Sequence, residues 1–152
     1  MQSKLLTLFG LAALATAQQA PFQIISAAEP SLHIAVQGDS TDPGAPIVVT
    51  SEFVQSQNWT YNTTTGYIIN VNSGTKALLL TGGKEGDPSV TLEKMETEPD
   101  DLNQIWVYNQ TLITLQDTGF CLTHNGSSVV MMECDGSEDQ TWNLDPSPFD
   151  QQ

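Results

Sequence analysis

"CDGSEDQTWNL", residues 134–144, contains a tryptophan two residues after a glutamine, and the other two tryptophans of the chain are placed the same way. The three triplets are Gln57-Asn58-Trp59, Gln104-Ile105-Trp106 and Gln140-Thr141-Trp142. Working outward from them uncovers a threefold repetition. Ile25, Ile69 and Ile113 recur every 44 positions, and so do His33, Ala77 and Cys121. The segments between, "ISAAEPSLH", "INVNSGTKA" and "ITLQDTGFC", align without a gap. After each comes a short apolar run (34–36, 78–80, 122–124), a turn-rich piece, a second apolar run and the Gln-x-Trp triplet.

Short apolar runs punctuated by Gly, Pro, Asp and Ser read as strands and turns, about four strands to a unit. The units span about 22–62, 66–109 and 110–145. Three such units predict an all-β structure in which each contributes one part of a shared, closed core. In a strand, residues i and i+2 face the same way, so Gln57 and Trp59, Gln104 and Trp106, and Gln140 and Trp142 are expected to point inward. A buried glutamine amide must then be hydrogen-bonded, and the backbone of the preceding loop can supply its partners.

The N-terminus has a different character. Lys4 precedes an apolar run, Leu5 to Leu14, and Ala15-Thr16-Ala17 is a small-x-small site. This is the layout of a secretory signal peptide over 1–17, which leaves one domain, 18–152, and predicts a secreted, extracellular protein. The run is too short to span a bilayer, and no membrane insertion is expected. The chain carries a formal charge of −14, and all 18 acidic side chains lie beyond the leader, where Lys76, Lys84 and Lys94 are the only bases. Such a surface repels phosphate backbones, so nucleic acid is excluded as a partner, and a soluble monomer is expected. Cys121 and Cys134 are the only cysteines, and in an oxidising compartment they read as a disulfide. Four sequons, at Asn58, Asn62, Asn109 and Asn125, predict a glycoprotein.

The three Gln-x-Trp units, and above all the third, "GFCLTHNGSSVVMMECDGSEDQTWNL" (119–144), resemble the ricin B-type lectins, the R-type β-trefoil family. The resemblance runs from about Phe22 to Asp145. It implies a β-trefoil and a secreted carbohydrate-binding protein whose partners are glycans, galactose-type among them. In the family each unit can hold a shallow sugar pocket with an Asp two residues after the first Cys. This chain has Ala35, Leu79 and Thr123 at the matching positions, and Met132 where the third unit would carry the family's stacking aromatic. The pockets are therefore degenerate. The third keeps the most polar groups, and Thr123, Asn125, Asp139 and Gln140 are its candidate sugar ligands. In the first unit, Asp39 or Asp42 in the turn could stand in over Ala35.

No zinc pair, nucleophile elbow or phosphate loop is present, and His33 and His124 stand alone on strands. The chain reads as a non-enzyme without metal or cofactor. An alternative reading follows from the missing Asp and aromatic together with the acidic loop 85–102: a trefoil that has lost sugar binding and acts on a protein partner, as an inhibitor or interaction protein. Exposed aromatics would favour the lectin, since a sugar needs a stacking face, and Tyr61, Tyr67 and Tyr108 are the candidates.

Overall fold

A computed structural model describes residues 20–84, 86–98 and 102–146. The expected signal peptide lies outside these residues, as do positions 85 and 99–101 of the acidic loop. The described chain forms twelve strands, four to a unit. The first unit holds β1 (Gln23–Ser26), β2 (His33–Val36), β3 (Ala45–Thr50) and β4 (Trp59–Tyr61). The second holds β5 (Ile68–Asn70), β6 (Leu79–Gly82), β7 (Val90–Glu93) and β8 (Trp106–Asn109). The third holds β9 (Leu112–Leu115), β10 (Phe120–Asn125), β11 (Ser128–Glu133) and β12 (Trp142–Asp145).

Outer strands of successive units pair into a barrel: β1 with β12, β4 with β5, and β8 with β9, all antiparallel. Within each unit the first and last strands close the ring. Phe22 and Trp59 exchange both backbone hydrogen bonds at 2.9 Å, and the N–H groups of Trp106 and Trp142 donate to the carbonyls of Gly66 and Thr111, each at 2.9 Å. Gly66 is required here: its φ is +80°, and a Cβ would stand 2.8 Å from Ile105 Cγ2. The inner strands form three hairpins, β2–β3, β6–β7 and β10–β11. These meet in a triangle through Ala45 with Leu92, Val48 with Ser128, and Ser89 with Val130. A six-stranded barrel capped by three hairpins is the β-trefoil the sequence predicts.

Alternation along the strands explains the core. Ile24, Ile68 and Ile113 are buried on the first strand of each unit, and their outward neighbours are half-buried. Trp59, Trp106 and Trp142 are at most 1% exposed and lie in one cluster with those isoleucines and Leu78, Leu80, Leu92 and Leu122. Their indole N–H groups donate to the carbonyls of Ile34 (3.2 Å), Leu80 (2.9 Å) and Leu122 (2.9 Å). Emptying any of the three sites to Ala would cost roughly 3–5 kcal/mol.

The structure corrects the gapless register. The residues that pair across the first two strands are Ile25 with His33, Ile69 with Leu79, and Thr114 with Cys121. Leu79 rather than Ala77 therefore matches His33 and Cys121, and Thr114 rather than Ile113 matches Ile25 and Ile69. The cause is loop length. The second unit inserts a 3₁₀ segment, Val71–Lys76, after which Ala77 turns the chain in the left-handed region at φ 47°. The expected position of the glutamines also shifts. Gln57, Gln104 and Gln140 each close a 3₁₀ turn (Gln55–Gln57, Leu102–Gln104, Glu138–Gln140), and the strand begins at the tryptophan. All three glutamines are nevertheless buried.

Candidate functional site

Corrected register changes which residue occupies the family's Asp position. In strand terms that position is Ala35, Thr81 and Thr123, not Ala35, Leu79 and Thr123. Two units then turn out to be built alike. In the second, Gln104 Nε2 donates to Lys94 O (2.8 Å) and Thr81 Oγ1 (3.1 Å), and its Oε1 accepts from the Glu96 N–H (2.9 Å). In the third, Gln140 Nε2 donates to Glu133 O (2.8 Å) and Thr123 Oγ1 (3.3 Å), and its Oε1 accepts from the Asp135 N–H (2.8 Å). Both threonine hydroxyls donate back along their own strand, Thr81 to Leu79 O and Thr123 to Cys121 O, each at 3.0 Å. Each glutamine thus clamps the loop ahead of it to the inner hairpin. The first unit has Ala35 in place of the threonine, and Gln57 Nε2 donates to Glu52 O alone at 2.7 Å.

Of the four ligand candidates of the third unit, Thr123 is 4% and Gln140 1% exposed, and their polar atoms are engaged with each other and with backbone. Asn125, at the hairpin tip, and Asp139, in the 3₁₀ turn, are exposed. The residue ahead of the glutamine is turned inward in the other two units. Ser56 Oγ accepts from Val36 N–H (3.0 Å) and donates to Val36 O (3.2 Å), while Asn103 Nδ2 donates to Gly82 O (3.1 Å). The disulfide Cys121–Cys134 is formed, with its Cα atoms 5.0 Å apart, and ties β10 to the loop that Gln140 braces. Met132 is half exposed beside it.

The first unit offers a different set of groups. Asp39, in the left-handed region at φ 52°, accepts through Oδ1 from the Ser56 N–H (2.9 Å) and through Oδ2 from the Gln55 N–H (3.4 Å). Ser56 first, and then the Gln55 N–H, hold its carboxyl below the ordinary value and keep it ionised. Asp42 is engaged elsewhere, 3.6 Å from Lys76 Nζ. Two residues before Gln55 stands Phe53, 95% exposed and by far the most exposed large hydrophobic side chain described. Reasoning from sequence missed Phe53, an aromatic between the third strand and the Gln-x-Trp triplet of its unit, three residues beyond the position that matches Met132. The three tyrosines that were expected to offer stacking faces are half-buried instead. Tyr61 and Tyr108 spend their hydroxyls on the carbonyls of Trp106 (2.9 Å) and Trp142 (3.4 Å).

His33 pairs in the register of Cys121, three residues before His124. His124 is buried, with Nε2 donating to Gly126 O (2.7 Å) and Nδ1 beside Ser26 Oγ (3.3 Å), so it links the third unit to the first. Among the described residues no group of three His, Cys, Asp or Glu side chains is arranged to hold a metal ion. Of the sequon asparagines, Asn62, Asn109 and Asn125 are exposed and Asn58 is half-buried.

No protein-family model and no curated protein matches the chain by sequence. Solved structures do match its fold. The C-half of an earthworm R-type lectin in complex with GalNAc superposes with a TM-score of 0.65 at 14% identity, over 82% of this chain and 97% of that one. The β-trefoil lectin of the Vibrio vulnificus hemolysin/cytolysin, with N-acetyl-D-lactosamine bound, gives 0.67 at 17% identity, over 82% and 93%. ThreeFoil, a designed threefold-symmetric protein, gives 0.64 at 18% identity, over 82% and 96%. The β-trefoil is thus common to this chain and to R-type and other lectins.

Proposed function

We propose that the protein is a secreted, non-catalytic, lectin-like member of the R-type β-trefoils that binds glycans, with pockets remade from the usual plan. One observation carries this reading: the exposed Phe53 ring lies two residues from Gln55, whose N–H the ionised Asp39 carboxylate accepts. A sugar presents an apolar C–H face and vicinal hydroxyls. An aromatic face serves the first, and a fixed carboxylate with spare lone pairs serves the second. The sugars held by trefoil lectins of the same fold support the substrate class, with galactose-type glycans first among those to try.

In the third unit, Asn125 and Asp139 are the groups able to meet a ligand, and Thr123 and Gln140 act by holding the loop that presents Asp139. The test is a glycan array probed with the wild-type protein, Asp39→Asn and Asp139→Ala. The reading expects wild-type binding, a loss in Asp39→Asn and a smaller one in Asp139→Ala. Silence of the wild type across all glycans would sink it. In that event the acidic loop of the second unit, which exposes Met95 and Leu102, supports the protein-partner reading.

A further inference from the structure

A cavity of about 260 Å³ lies between the second and third units, far from any sugar-type pocket in its chemistry. Its walls are Pro88 from the β6–β7 turn and Leu115, Phe120 and Met131 from β9, β10 and β11; Asp87 and Thr118 line it as well and are exposed. The walls are firmly held. Leu115 and Met131 are each 5% exposed, and the Met131 N–H donates to Pro88 O at 2.8 Å. The turn is fixed by Gly83 N–H to Ser89 O (2.7 Å) and Asp87 N–H to Lys84 O (3.0 Å), and a Cβ on Gly83 would collide with the Asp87 carbonyl. Thr118 spends its hydroxyl within its own loop, donating to Leu115 O (2.8 Å) and accepting from Phe120 N–H (3.1 Å). Asp87 uses Oδ1 to accept from Ser89 N–H (2.9 Å), and Ser89 holds its carboxyl below the ordinary value, so the rim stays negative.

We infer that this cavity binds a small aromatic amine, its ring between Phe120, Leu115 and Met131 and its ammonium group at Asp87. Volume, wall chemistry and charge each narrow the class. The space falls just short of the roughly 300 Å³ at which pockets for drug-sized ligands begin, so it suits one bicyclic ring with a short tail. A thioether and an aromatic ring in the lining favour an aromatic over an aliphatic body. Charge decides between the two amphiphiles of that shape. A carboxylate head would face Asp87 and a chain of net charge −14, whereas an ammonium is attracted by both. Nothing in this site depends on the glycan reading.

The experiment is an NMR titration of the intact protein with three probes that share one ring: tryptamine, neutral indole and indole-3-acetate. Tryptamine is expected to bind saturably, with methyl shifts at Leu115 and Met131, and indole-3-acetate to bind at least about tenfold more weakly. Asp87→Asn keeps the Oδ1 acceptor that fixes the turn. It should weaken tryptamine about tenfold and leave indole unchanged. Shifts that map away from Leu115 and Met131, equal binding of the amine and the acid, or indifference of tryptamine to Asp87→Asn would each overturn the inference.

Discussion

Thr123 is a candidate ligand whose surroundings are those of a structural brace. Its place in the sequence is that of a sugar-binding carboxylate, yet it is buried, donates to its own strand and accepts from Gln140. The recurrence of the same clamp at Thr81 and Gln104 is what identifies it as construction. Thr123→Val, which keeps the shape and deletes the hydroxyl, is expected to cost about 1 kcal/mol in urea denaturation and to leave glycan affinity unchanged. An affinity loss without a stability loss would return Thr123 to the ligand set. Asp39 makes a separate statement through pH. Its carboxyl is depressed below 3.8 by Ser56 first and Gln55 after it. A depressed carboxyl contributes stability above its unfolded value, and that contribution is lost as pH falls through the folded value. Asp39→Asn should therefore reduce the drop in stability between about pH 5 and pH 2 relative to wild type. Parallel curves for the two proteins would show that the hydrogen bonds to Asp39 carry no stability. Asp39 was legible as a candidate in the turn, but its hydrogen bonds to Ser56 and Gln55 were not, because the carboxylate is reached through a positive-φ turn that no spacing rule anticipates.

At the level of elements, the strands were readable because alternation and Gly/Pro punctuation are local signals. Their register was not. The apparent identity of "ISAAEPSLH", "INVNSGTKA" and "ITLQDTGFC" conceals three connections of different length, and the 3₁₀ segment Val71–Lys76 moved the true match from Ala77 to Leu79. The glutamines were expected to lie in strands and instead close 3₁₀ turns, because their amides must reach back to Glu52, Lys94 and Glu133. The disulfide is an element-scale device too. Cys121 pairs with Met132 across the third hairpin, and Cys134 lies just beyond it. The matching positions in the other hairpins are His33 and Leu79, and those hairpins form without a crosslink. Reduction, or Cys121→Ser with Cys134→Ser, should thus lower stability by roughly 3 kcal/mol while far-UV circular dichroism remains that of the native fold. Loss of the β spectrum on reduction would mean that the third unit depends on its bridge in a way the other two do not.

For the whole molecule, three tryptophans two residues after three glutamines were enough to give the threefold plan. Each indole binds a carbonyl of its own unit's inner hairpin, and together they occupy the shared core. The surface that decides function was less visible. Hydrophobic patterning predicts what is buried and gives no signal for a lone exposed ring, so Phe53 passed unnoticed while the tyrosines, half-buried with two of them bonded to core carbonyls, drew attention. If the trefoil is a lectin, that ring has to matter, since it is the most exposed aromatic face described and stands two residues before Gln55, whose N–H an ionised carboxylate accepts. The most direct measurement is equilibrium binding of wild type and Phe53→Ala to the strongest glycan found on an array, at one salt concentration. The account predicts saturable wild-type binding and an about five- to tenfold loss in Phe53→Ala, corresponding to the ~1–1.5 kcal/mol of one stacking face. Unchanged affinity in Phe53→Ala would contradict it.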